Sequence, residues 1–241
     1  MTTTNLPDTT PNEPRRPFTL RAALSLMAGI SIASVSIYLL CRKNTSRVVR
    51  TGIKSLPVVL PLILDRRRDR RPAPAAALAQ HSTFYRIAAY VLPVVLCLAL
   101  GGLAGWLQRD ALTEWYPALL KPAGTPPNLV FPIVWGVIYL LMGISAGRIL
   151  TAPGGPHYGA MTLWGIQLGV NFLWSILFFV CRSPLLGLIG IVVLDALVMV
   201  YIARSYRIRR DAAWMFAPYL AWILYATYLN GWILAANGPG I

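Results

Sequence analysis

Histidine, cysteine and acid are all scarce in this chain. Two histidines, His81 and His157, occur in 241 residues, and both sit in polar connections between apolar runs. The three cysteines, Cys41, Cys97 and Cys181, lie in or beside apolar runs without a CxxC spacing, so neither a disulfide framework nor a metal set is expected. A zinc or haem-iron site would have to be built almost without imidazole or paired thiolate. No metal site and no resident cofactor are expected. Charge is the larger deficit: 12% of the residues are charged, where a soluble domain carries about 25%. That shortage excludes both disorder and an ordinary water-soluble domain.

What is present is apolar. The AVILMFWYC set makes up 56% of the chain, with eight tryptophans, and the mean hydropathy is +0.59. This composition is that of an integral membrane protein, whose useful unit is a spanning helix of roughly 20 apolar residues. The net charge of +14 raises nucleic acid as a partner, but its distribution argues against it. Residues 1–86 hold 14 basic residues against four acids, and residues 87–241 hold eight against four. Basic residues that flank apolar spans fix topology or meet anionic lipid. No basic groove interleaved with aromatics is visible, and no nucleic-acid partner is expected.

Two regions follow from the texture. Residues 1–84 form an N-terminal extension: a Thr/Pro/Asn-rich tail, an uncharged run at 22–41, and a basic linker with Arg66-Arg67-Arg68-Asp69-Arg70-Arg71. The run at 22–41 suits a sixth spanning helix, a signal anchor or the core of a targeting sequence. Residues 85–241 read as five long spans, near 87–108, 129–147, 158–181, 183–203 and 212–236, the fourth charged at Asp195 alone. The fold expected is an all-α membrane protein, a five-helix transmembrane bundle with an extension that could add one helix. Arg86, Arg148, Arg204, Arg207, Arg209 and Arg210 fall at the end where the bundle starts. That end should face the positive side of the membrane, and the long loop at 109–128 the other.

Three spans carry polar or aromatic stripes. Gln167, Asn171 and Trp174 share one face of the third, and Tyr219, Trp222, Ala226 and Asn230 one face of the fifth. Trp135 and Tyr139 stack at i, i+4 on the second. Amides in hydrocarbon are costly unless paired or turned toward a cavity. Two readings therefore stand: a pocket with aromatic walls for a flat, largely apolar ligand, or helix–helix packing that uses the same residues. Trp164, Trp214 and Trp232, near span ends, read as an aromatic belt. Small-residue pairs occur at Gly101/Gly105, Gly143/Gly147 and Gly165/Gly169. The last pair lies opposite Gln167 and Asn171 and offers an outward glycine face for a dimer interface. Asp195, near mid-span, reads as a protonated structural acid.

Several blocks carry a family resemblance. The run Trp115-Tyr116-Pro117-Ala118-Leu119-Leu120-Lys121-Pro122, then Thr125-Pro126-Pro127, Phe131, Trp135 and Tyr139, resembles the translocator protein / tryptophan-rich sensory protein family (TspO/MBR, the peripheral-type benzodiazepine receptors). Gln167 to Trp174 with Phe178-Phe179, and Pro218-Tyr219-Leu220-Ala221-Trp222 through Asn230, agree in order. The resemblance covers about 85–241. It implies five transmembrane helices, a homodimer, and an internal pocket under the first loop for porphyrins such as protoporphyrin IX, sterols or other apolar small molecules. The ligand-binding residues it implies, together with the stripes, are Tyr116, Pro126, Trp135, Tyr139, Gln167, Asn171, Trp174, Tyr219, Trp222 and Ala226. Gly124 stands where the family often has Trp. Gly231 and Ala235 stand where the animal cholesterol motif has Tyr and Arg/Lys, and Gly190 where an acid is common. The function implied is tetrapyrrole binding in transport, sensing or tetrapyrrole metabolism. Light-dependent porphyrin degradation, or a sterol carrier or stress-response scaffold, are the alternatives. No nucleophile, general base or metal set is visible, so no catalytic residue is expected. The resemblance favours a mitochondrial membrane, with a bacterial envelope as the alternative.

Overall fold

The structure, a computed structural model, describes residues 83–154 and 157–239. The tail, the 22–41 run and the basic linker lie outside the described residues. Among the described residues every regular element is helical, with five helices long and apolar enough to cross a membrane: α1 (Thr83–Asp110), α2 (Val130–Leu150), α3 (Tyr158–Ser175), α4 (Pro184–Tyr206) and α5 (Ala217–Asn237). The expected five-helix bundle is observed, as a multi-pass integral membrane architecture.

Helix ends are set by local chemistry. At the start of α4, the Ser183 hydroxyl accepts from the Leu186 N–H at 3.4 Å, with Pro184 in the first turn; an N-cap donor need is met and the proline forfeits no helical bond. At the end of α5, Gly238 takes φ 83° and its N–H donates to Leu234 O, a backbone state that glycine adopts without Cβ strain. Two ends differ from the sequence expectation. Helical structure continues from α1 through a π-type stretch, Ala111–Trp115, and a last turn, Tyr116–Ala118, since no proline stands between Gln108, where the uncharged run ends, and Pro117. The expected start of the fifth span at 212 is instead a separate turn, Arg210–Trp214, with α5 beginning at Ala217. Pro218 sits in the first turn of α5, where it can begin a helix but not continue one.

Packing follows the small residues. α1 lies along α2, α3 against α4, and α4 against α5, while α3 also meets α1 and α2. A Cβ at Gly143 would come within 2.5 Å of the Val94 backbone, and one at Gly147 within 2.4 Å of the Tyr90 ring. This glycine pair thus lets α1 and α2 approach closely inside one chain. α3 is the enclosed helix: apart from Met161, every residue from Gly159 to Gly169 is buried. Gly165 and Gly169 are among them. The glycine face expected outward is thus buried in the single chain.

Two other expectations are corrected. Trp164 is buried, and its Nε1 donates to Met142 O at 3.0 Å, so it is a packing residue that crosses to α2. Trp214 and Trp232 are exposed as a belt requires. Cys97 is free and buried, but Cys181 is disulfide-bonded, which departs from the expectation of no disulfide. The charges sort by end as the sequence suggests. Arg148 Nε pairs with Asp211 Oδ2 at 2.9 Å at one end, and Arg182 Nη2 with Glu114 Oε2 at 3.1 Å at the other.

Candidate ligand-binding site

The half of the bundle beneath the 119–129 loop is where the stripes converge. Trp135 and Tyr139, one turn apart on α2, stack with centroids 5.4 Å apart at 28°. Trp135 then meets Trp174 of α3 and Tyr219 of α5, each at 6.1 Å. A chain of hydrogen bonds joins the same three helices: Tyr139 OH donates to Asn171 Oδ1 at 3.1 Å, and Asn171 Nδ2 donates to Tyr219 OH at 3.0 Å. Tyr139, Asn171 and Tyr219 are all buried. A buried amide left unpaired costs roughly 1–3 kcal/mol; here both of its ends are used, so the amide fixes two aromatic walls instead.

The other expected residues fall around this centre. Tyr116 is buried against Phe178 and Phe179, at 6.4 and 5.6 Å. Trp174 stacks on Phe178 at 6.2 Å and 22°, and its Nε1 has no partner. Trp222 is half-buried and meets Phe131 edge-on at 5.7 Å. Pro126 and Ala226 are half-buried flanks, in the loop and on α5. Gln167 is buried one turn away from Asn171, where its Nε2 donates to Trp164 O at 3.0 Å. It is tied to its own helix and, where the same Nε2 meets Met142 Sδ at 3.9 Å, to α2, not to the aromatic centre, and its Oε1 is unpaired.

Between α2 and α5 the bundle is not closed. A groove of about 480 Å³ lies there, lined by Ile133, Val134, Val137, Ile138, Pro218, Ala221 and Trp222. Of the expected ligand residues only Trp222 faces it. The groove is apolar and opens sideways from the spanning helices, so its surroundings in a membrane are lipid tails. The ring cluster lies behind its wall, with Ile138 beside Tyr139 on α2 and Pro218 beside Tyr219 on α5.

A loop covers the end of the cluster. Lys121 Nζ donates to Tyr116 O at 2.7 Å and Leu119 O at 2.8 Å, and lies 4.9 Å over the Tyr116 ring. Partial desolvation there lowers the Lys121 pKa from the ordinary lysine value. Asn237, the last residue of α5, accepts from Leu120 N–H and donates to Leu120 O, both at 2.9 Å. The Tyr225 hydroxyl donates to Gly124 O. With glycine at 124, the loop is held through its backbone by α5.

Sequence reasoning missed Phe131, Phe178, Phe179, Tyr225 and Asn237 as parts of this site. Phe178 had a signal, since it follows Trp174 at i+4 on the stripe of α3. Asn237 had none, because its partner is a backbone 117 residues away. Among the described residues no group of His, Cys, Asp or Glu could hold a metal ion.

Comparison with known proteins agrees with this architecture. The chain is 35% identical over 147 residues to the tryptophan-rich protein TspO of Archaeoglobus fulgidus, which covers 61% of this chain and 95% of that protein. It is 32% identical over 154 residues to the TspO of Chlorobaculum tepidum, covering 63% of this chain and 98% of that protein. The translocator protein of Sus scrofa is 32% identical over 146 residues, covering 58% of this chain and 86% of its own length. Residues 93–235 match the TspO/MBR family. With five spanning helices and these matched residues, the chain belongs to the TspO/MBR family.

Proposed function

We propose that the protein is a membrane receptor or carrier for a flat, largely apolar tetrapyrrole, with a metal-free porphyrin such as protoporphyrin IX as its ligand. The observation that carries this reading is the buried Tyr139–Asn171–Tyr219 chain, which gathers Trp135 and Trp174 into one aromatic cluster of α2, α3 and α5, with Trp222 on the adjoining groove. Aromatic walls stack on a planar ring. The unpaired Trp174 Nε1 supplies one donor for the polar edge of a ligand. Ligated haem suits this lining less, because no imidazole or free thiolate stands among the site residues. The groove beside Trp222 favours a second reading, a sterol or lipid carrier, since an all-apolar lining open to the bilayer suits a ligand drawn from it. Beyond the multi-pass membrane architecture, we place the protein in a mitochondrial membrane; the basic extension supports this choice over a bacterial envelope.

Titration of the purified full chain with protoporphyrin IX distinguishes these readings. Tryptophan quenching should saturate, Asn171→Leu should weaken binding by roughly tenfold or more as its two tyrosine partners are freed, and Trp222→Phe should weaken it by a few fold. Quenching that rises without saturation, as in empty micelles, would remove the porphyrin reading. A sterol that competes fully at lower concentration would favour the second.

A further inference from the structure

At the end of the bundle where α1 begins, the charges are unequal. Arg86, Arg148, Arg204, Arg207, Arg209 and Arg210 gather there, and Asp211 is the acid among the described residues at that end. Asp211 is already engaged. Its Oδ2 meets Arg148 Nε at 2.9 Å and Arg209 Nη2 at 3.0 Å, while its Oδ1 accepts from Arg209 Nε at 3.2 Å and Ala212 N–H at 3.0 Å. Arg207 and Arg210 carry no share of it, and both are exposed.

The setting of these two arginines is specific. They lie in the short connection from Tyr206, the last residue of α4, to the turn Arg210–Trp214 that precedes α5. Both flanking helices span the membrane, so this connection sits at headgroup depth. Tyr206 is 44% exposed and Trp214 is 67% exposed, the placement of aromatic rings that settle at a lipid–water boundary. The Arg210 guanidinium lies 5.4 Å over the Tyr206 ring, which holds its planar fork in place without neutralising it. A guanidinium fork held at headgroup depth matches phosphate oxygens, and the exposed Arg207 stands three residues away.

We propose that Arg207 and Arg210, framed by Tyr206 and Trp214, form a binding site for the headgroup of an anionic phospholipid. The lipid's phosphate meets the two guanidinium groups, and its net negative charge answers the excess of arginine along this end. This site is separate from the aromatic cluster and independent of the ligand proposed for it. It also asks more of these arginines than topology does. Orientation during insertion needs positive charge alone, whereas a headgroup site needs the fork and discriminates between lipids.

The test uses the full chain in mild detergent, mixed with phosphatidylglycerol or phosphatidylcholine and read by native mass spectrometry for retained lipid. Wild type should retain phosphatidylglycerol in clear preference. The double variant Arg207→Gln/Arg210→Gln should lower that retention by roughly tenfold or more. Arg207→Lys/Arg210→Lys keeps the charge and removes the fork, and should fall between the two. Arg109→Gln/Arg182→Gln removes the same charge from the opposite end and should leave retention unchanged. Equal retention of the two lipids by wild type would overturn the proposal. So would an equal loss in the opposite-end variant, or full retention in Arg207→Gln/Arg210→Gln. Should the glutamine variant fail to fold, undiminished preference in the lysine variant overturns it and a diminished one supports it.

Discussion

Asp195 shows how far proton counting at one residue can go. Thr227 Oγ1 lies 2.7 Å from Asp195 Oδ2 and 2.9 Å from Ile223 O. A hydroxyl has one proton, and threonine in a helix commonly gives it to the carbonyl four residues back. The short contact to Asp195 then needs a proton from the carboxyl side. A neutral acid also suits a position near mid-membrane, where a charge is costly. Asp195→Asn should therefore keep the fold, with stability changed by less than about 1 kcal/mol, because its amide can donate in place of the acid. Thr227→Val removes the acceptor and should cost ~1–3 kcal/mol, read as a lower melting temperature in detergent. Infrared spectra of wild type should contain a protonated carboxyl band that is absent from Asp195→Asn; a carboxylate signal in its place would contradict the assignment. The acid was legible in the sequence as an isolated charge in an apolar span. Thr227 was not, since a partner on another helix leaves no periodic trace.

At the scale of elements, the spans were legible because each is an apolar run, uncharged apart from Asp195 on α4, bounded by charge or proline, and hydrocarbon thickness sets its length. The stripes on α2, α3 and α5 were legible because a helix repeats its faces, and Trp135, Tyr139, Asn171, Trp174 and Tyr219 do meet. The loop was not legible. Its hold depends on Asn237 and Tyr225, which reach backbone atoms of Leu120 and Gly124, and a backbone partner has no residue type to recognise. The same limit applies to Gly143 and Gly147: the spacing marks a close approach but not the helix that approaches. Asn237→Ala removes both bonds to Leu120 and should loosen the loop by ~1–3 kcal/mol. Exchange of the Leu120 amide hydrogen should quicken, and bound ligand should dissociate faster with its association little changed. Unaltered exchange at Leu120 would mean that Lys121 and Tyr225 hold the loop without Asn237.

For the whole molecule, the two regions divide the work by composition. Every residue of the aromatic cluster and its loop lies between Tyr116 and Asn237, inside the stretch with five spanning helices. The family match runs from 93 to 235, inside the bundle and clear of residues 1–84. The extension holds an uncharged run at 22–41 and then a basic linker. A basic segment beside an apolar one is attracted to a membrane rich in anionic lipid, at about 1 kcal/mol per basic residue near the surface, which suits an address or an anchor better than a ligand site. A chain lacking residues 1–80 should therefore still insert and bind protoporphyrin IX with unchanged affinity. Fused to a fluorescent reporter, residues 1–80 alone should carry it to mitochondria. Reporter spread through the cytosol would leave the extension as neither address nor anchor, and reporter at the plasma membrane would favour a simple anchor. Loss of porphyrin binding from the truncated chain, with its helix content intact, would instead make the extension part of the site and place the missing wall of the pocket outside the five helices.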